Sequence, residues 1–183
     1  MEERCEILLA GDGGQGLGLA GVTLAQSFAE EEGKNVVETE AYGISMRGGL
    51  SRSEVIVSTK EIDDLKVTEP DILLVLSQEA AEFFIPKVKK NGSIFVDSTC
   101  IKDISKTEAK VFSFPFTEEA RHLGNETIAN IIALGAISST SSVISKESLE
   151  NTIKKRFGSP AREINLQALD KGYKLAKQKK EII

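Results

Sequence analysis

Gly11-Asp12-Gly13-Gly14-Gln15-Gly16 is the first segment of the chain whose residue types could do chemistry. It fits G-x-G-x-x-G and stands between a short apolar run, residues 6–10, and a helical pattern that begins at Leu17. Glycine permits the tight turn, and bare amides at a helix N-terminus can meet an anion. Glu38 follows at about the distance where a dinucleotide enzyme places an acid against ribose hydroxyls. Three readings stay open at this point: a soluble NAD or FAD, an anion on a cofactor held by a partner, or turn geometry alone.

The second segment is Tyr42 to Ser53, rich in Gly, Ser and Arg. Arg47 stands beside Gly48 and Gly49, with Gly43 a few residues earlier. A guanidinium offers a planar fork for an anion, and neighbouring glycines leave the backbone amides uncovered. The candidate cofactor-binding residues are therefore Gly11, Gly13, Gly14, Gln15 and Gly16 in the first segment. In the second they are Tyr42, Gly43, Arg47, Gly48 and Gly49. No catalytic acid or base is assigned. His122 is the only histidine and is expected to be an ordinary helix residue beside a loop. Cys5 and Cys100 are the only cysteines, far apart and in no ligand spacing, so no metal site is expected in this chain. An iron–sulfur cluster usually takes four thiolates, which this chain lacks.

These segments need a scaffold, and the apolar pattern supplies one. Residues 6–10 read as a buried strand, and Leu17, Ala20, Leu24, Ala25 and Phe28 recur at helical spacing, with Gly33 after them as a cap. Val36 and Val37 open a second strand running toward Tyr42, residues 43–52 read as loop, and Ser53 to Thr59 as a third strand. Asp71 to Leu76, Ser93 to Asp97 and Lys110 to Phe114 are further strands. Ser77 caps a helix over Gln78 to Phe84 that Pro86 ends. Asn125 to Ile137 is apolar on most sides and predicts a buried helix. Ser145 caps one across Lys146 to Phe157, and Pro160 starts a last helix toward Lys179. Strands alternating with helices predict a mainly parallel sheet covered on both faces: a single three-layer, Rossmann-like α/β domain over residues 1–183 with a helical C-terminal third.

Composition removes several classes of function. The chain has 183 residues, 40% of them hydrophobic, enough for a core in one domain. Lys plus Arg is 23 and Asp plus Glu 28, a net charge of -5, which disfavours a nucleic-acid partner. One Arg-Gly pair in such a chain does not match RNA-binding repeats. No apolar run approaches the roughly 20 residues of a membrane span. Only Ile7 to Ala10 precede Asp12 as an apolar stretch, too short for a secretory signal, so a cytoplasmic location is expected.

Gly-Asp-Gly-Gly-Gln-Gly (11–16), Tyr-Gly-x-x-x-Arg-Gly-Gly (42–49) and the strand Ser53 to Ser58 occur together in order. With Asn130-x-x-Ala133-Leu134-Gly135, Phe157-Gly158 and Asn165-x-x-Ala168-x-x-x-Gly172, they make the chain resemble the gamma subunit of a 2-oxoacid:ferredoxin oxidoreductase over nearly its whole length. The resemblance implies a multi-subunit enzyme that oxidatively decarboxylates a 2-oxoacid, passes electrons to ferredoxin or a similar acceptor, and forms an acyl-coenzyme A. 2-Oxoglutarate is the preferred substrate, with pyruvate and branched-chain oxoacids as alternatives. It also implies alpha, beta and ferredoxin-like partner subunits, which mainly carry thiamine diphosphate, magnesium and the iron–sulfur clusters. This chain would then be an adjacent component, inactive alone. Ile44-Ser45 stand where the family commonly has Pro-Glu, and Ser159-Pro160 where a Lys is frequent. The competing readings from the residues are a free-standing NAD(P)- or FAD-binding reductase and a non-enzymatic nucleotide-binding regulator.

Overall fold

Ile7, Leu8, Leu9 and Ala10 are buried on both faces of a central strand, β1 (Arg4–Asp12), which is why that run is apolar without alternation. The structure, a computed structural model, describes residues 4–42 and 49–178; at Tyr42 it describes the backbone only. The chain continues through α1 (Leu17–Gln26), which widens into a π turn at Ser27–Glu31, then β2 (Asn35–Tyr42) and β3 (Leu50–Ser58). β4 (Ile72–Val75), α2 (Gln78–Phe84), β5 (Ser93–Asp97) and β6 (Lys110–Phe114) follow. The last third is helical: α3 (Phe116–His122), α4 (Ala129–Ser141), α5 (Lys146–Arg156) and α6 (Ala161–Gln178).

The six strands form one sheet in the order β2-β3-β1-β4-β5-β6. β1, β4 and β5 pair in parallel with their successors, whereas β3 runs antiparallel to both β1 and β2. Five strands therefore share one direction, as the alternation predicts, and β3 is the exception. It starts three residues earlier than expected, because β2 and β3 close a hairpin whose register runs from Asn35–Ser58 to Tyr42–Ser51.

Helices lie on both faces, as expected, but they cover them unequally. On one face Ile7, Leu9, Leu74, Phe95 and Phe114 pack under α1, α3, α4, α5 and α6. On the other, Leu8, Ala10, Leu73, Ile94 and Val111 meet α2 and the segments around Ile101 and Ala109. α4 is buried from Ala129 to Ser138 because it is sandwiched between sheet and helices, matching its all-round apolar sequence.

Candidate functional site

β1, β2, β4 and β5 all end on one edge of the molecule, so everything that follows them collects there. Asp12 pairs with Leu50 and Tyr42 with Ser51, so the stems of both glycine segments lie within two strands of each other. Gly43, Arg47 and Gly48 lie outside the described residues. Gly49 is described and half-buried beside Leu50.

The glycine loop is held by its own glutamine. Asp12 N donates to Gln15 Oε1 (2.7 Å), Gln15 Nε2 donates to the Leu76 carbonyl (3.0 Å), and Gln15 N donates to the Asp12 carbonyl (3.2 Å). Gly11 is small because the Gln15 amide occupies the place of a Cβ, with Leu76 Cβ next at 3.3 Å. Gly11 and Gln15 thus serve the loop's shape. Gln15→Glu loses the donor and turns a carboxyl oxygen against the Leu76 carbonyl. The expected cost is about 2 kcal/mol in urea unfolding of the ligand-free chain. Unchanged stability would remove the brace.

Gly16 begins α1 at φ 70° and ψ 30°, a left-handed position that favours glycine. Its carbonyl accepts from Asn130 Nδ2 at 2.7 Å, and Asn130 is 1% exposed at the start of α4. That tie from the last third was not among the expected site residues. The signal was a buried amide inside an apolar helix, which must find a partner. Gly13 and Gly14 are exposed, and a Cβ at Gly14 would meet nothing within 4 Å. Their backbone is the part of the loop open to an approaching group.

A cleft of about 200 Å³ opens beside them, lined by Gly14, Gln15, Thr117, Glu126 and Thr127. Asp97, fully buried at the end of β5, shapes its wall. Its Oδ2 accepts from Thr117 N (2.9 Å) and Thr117 Oγ1 (2.5 Å), and its Oδ1 from Thr99 N (3.0 Å). Pro115 precedes α3 and gives no side-chain cap, so Asp97 caps that helix from the sheet. Cys100 lies 3.7 Å from Thr117 Oγ1, and burial pushes its thiol up, so it holds its proton. At the rim Arg121 grips Glu126 through two bonds of 3.0 Å, and that pairing holds the Glu126 carboxyl below its ordinary range. His122 is exposed in the last turn of α3, 3.6 Å from Glu119, as an ordinary helix residue. Among the described residues no three His, Cys, Asp or Glu side chains gather at a metal-sized site.

Glu38 is not a ribose ligand here. In a dinucleotide fold the acid follows a strand adjacent to β1. Here β3 lies between β1 and β2, moving Glu38 about 4.8 Å further from the glycine loop. Its Oε1 instead accepts from Ser53 Oγ at 2.6 Å, and both face Gly21 of α1. Desolvation raises the Glu38 carboxyl, and Glu40 adds to the rise. A carboxyl with a raised folded pKa loses stability as pH climbs from its unfolded value through the folded one. Glu38→Gln keeps an acceptor for Ser53. It should therefore gain in melting temperature over the parent at pH 7, with the difference vanishing near pH 4. An equal difference at both pH values would show that ionisation is not the cause.

Comparison with known proteins places the chain in a family. The sequence profile of the pyruvate ferredoxin/flavodoxin oxidoreductase family matches residues 6–175. The chain belongs to that family. Among its oxidoreductase relatives, 2-oxoglutarate synthase subunit KorC of Methanocaldococcus jannaschii is 40% identical over 178 residues, covering 96% of this chain and 95% of that one. The gamma subunit of a keto/oxoacid ferredoxin oxidoreductase from Geobacter sulfurreducens superposes with a TM-score of 0.87 at 36% identity, covering 96% and 97%. The 2-oxoglutarate:ferredoxin oxidoreductase of Magnetococcus marinus, solved with 2-oxoglutarate, coenzyme A and succinyl-CoA bound, also gives 0.87 at 25% identity. There the match covers 98% of this chain and 32% of that longer one.

Proposed function

We propose that this chain is the gamma subunit of a 2-oxoglutarate:ferredoxin oxidoreductase. That enzyme converts 2-oxoglutarate and coenzyme A to succinyl-CoA and carbon dioxide and passes two electrons to ferredoxin. The observation that carries the reading is end-to-end likeness to a subunit of matching length, KorC of a 2-oxoglutarate synthase. The site agrees with a supporting part. A cleft of about 200 Å³ is smaller than the roughly 300–1,000 Å³ of ordinary ligand pockets, so it holds part of a ligand and leaves the rest to another surface.

Thiamine diphosphate, magnesium and iron–sulfur clusters belong to the alpha, beta and ferredoxin-like partners in this reading. Two distant cysteines and one histidine do not fit those groups. Coenzyme A fits differently, since its phosphates need amides and a cation. Gly13 and Gly14 present exposed backbone, α1 has no side-chain cap among the described residues, and Arg47 supplies the fork. Tyr42, Gly43, Gly48 and Gly49 belong to the same proposed cofactor-binding set. Residues 1–183 act as one domain, in the cytoplasm; in support, no helix among the described residues is long and apolar enough to cross a membrane.

The test is co-expression with the partner subunits and 2-oxoglutarate-dependent reduction of a viologen dye, with pyruvate and 2-oxoisovalerate as competing substrates. The isolated chain is expected to be colourless and inactive. Arg47→Ala should raise the KM for coenzyme A by about tenfold or more, equivalent to a lost charged hydrogen bond, and Arg47→Lys should recover part of it. Turnover by the isolated chain, or preference for another oxoacid, would overturn the reading.

A further inference from the structure

The less covered face of the sheet carries a groove of about 290 Å³ that the candidate site does not use. It runs between the end of α2 and the segment that crosses from β3 to β4. Leu8, Val67, Pro70 and Phe84 give it an apolar lining, and Arg52 and Lys87 bring two cations into it.

Arg52 is held there in an unusual way. It stands on β3 opposite Ala10, on the α2 side of the sheet, with Nε 2.8 Å from Glu54 Oε1. Yet Nε is buried and makes no aligned hydrogen bond among the described residues, so charge alone ties it to Glu54. Glu54 is also engaged elsewhere, accepting from Val67 N at 3.2 Å. Lys87 is exposed, with its ammonium 3.6 Å from the ring centre of Phe83, which is itself 50% exposed. An exposed Phe beside an apolar groove is an unfinished surface. Beyond the groove the α2 side of the β2–β3 hairpin, with Val37, Thr39 and Ala41, lies under no helix among the described residues. The other face carries five.

From this we infer that the α2 face, centred on the Arg52–Lys87 groove and Phe83, docks a neighbouring subunit of the complex. The occupant is a segment of that subunit carrying an aspartate or glutamate between apolar residues. The inference rests on the proposed role as a subunit. The occupant's charge follows from the groove. The chain's net charge is -5, but Arg52 and Lys87 outnumber Glu54 in this lining, and a carboxylate there meets that excess positive charge over an apolar floor. Phe83 supplies the aromatic anchor that such interfaces use.

The test uses the complex assembled by co-expression and treated with a carbodiimide, which joins an amine to a carboxyl with loss of water. The expected product, read by mass spectrometry, is an amide between Lys87 and an aspartate or glutamate of another subunit. Lys87→Glu and Phe83→Ala, both surface changes, should each weaken assembly by about tenfold or more while the isolated variants melt like the parent chain. Raising salt should weaken the parent complex and have less effect on the Lys87→Glu complex. A cross-link to a second copy of this chain would overturn the inference, as would parental assembly of both variants or equal Lys87 reactivity free and assembled. In each of these cases the proposed function survives. Failure of the parent chain to join the other subunits would overturn both.

Discussion

Gly172→Ala should destabilise the chain by about 3 kcal/mol, although alanine is the better helix former. α6 crosses α4 at glycines on both sides. A Cβ on Gly172 would overlap the Ile132 carbonyl oxygen and stand 2.7 Å from its carbon, and one on Gly135 would overlap the Leu169 carbonyl and stand 2.9 Å from Tyr173 N. The obstructing atoms are backbone, so no side chain can swing aside, and the helices must part along a packed face that includes Ile132, Ala136, Ala168 and Leu169. In an open helix the same change would gain about 0.5–1 kcal/mol, so the sign itself is the test. Gly135→Ala should cost a similar amount, and the double variant less than the sum, because one separation relieves both overlaps. Urea unfolding of the three variants measures this. A Gly172→Ala chain as stable as its parent would show that the crossing has slack.

Asp97→Ala should cost about 3–4 kcal/mol, and Asp97→Asn about half as much. The side chain is fully buried and accepts from Thr117 N, Thr117 Oγ1 and Thr99 N. Alanine leaves those donors without an acceptor in a place water does not reach, whereas asparagine keeps one oxygen. Because Thr117 lines the cleft beside Gly14, the proposed function further predicts that the alanine variant raises the KM for coenzyme A in the assembled enzyme. A loss below about 1 kcal/mol would show that α3 does not depend on the sheet for its cap.

Much of the scaffold was legible in the chain because local physics decides it. The β1 and β4 runs are apolar without alternation, which only a strand buried on both faces requires. Ser77 and Ser145 announce their helices by accepting from Ala80 N and Ser148 N. The family, too, stands in short motifs in fixed order, and the profile match over residues 6–175 bears it out.

Long-range pairing was not legible. β3 carries the same residue types whether it joins its neighbours in parallel or reversed, since both arrangements bury Val55 and Val57. Only the assembled sheet shows it inserted between β1 and β2, and that insertion removes Glu38 from any ribose. Likewise Gln15 in isolation suits a ligand as well as a brace. Its choice depends on the Leu76 carbonyl, 61 positions away. Asn130 needed a partner wherever it was buried, and the sequence showed the need without showing Gly16 as the answer. By itself the sequence determined the strands, most of the helices and the two glycine segments, because those depend on residues a few positions apart, whereas α3, capped by Asp97 from the sheet, was not assigned. The tertiary structure decided which strand lies beside β1, which face stays thinly covered and which side chains hold the loop, because hydrogen bonds and packing between distant segments have no local signature.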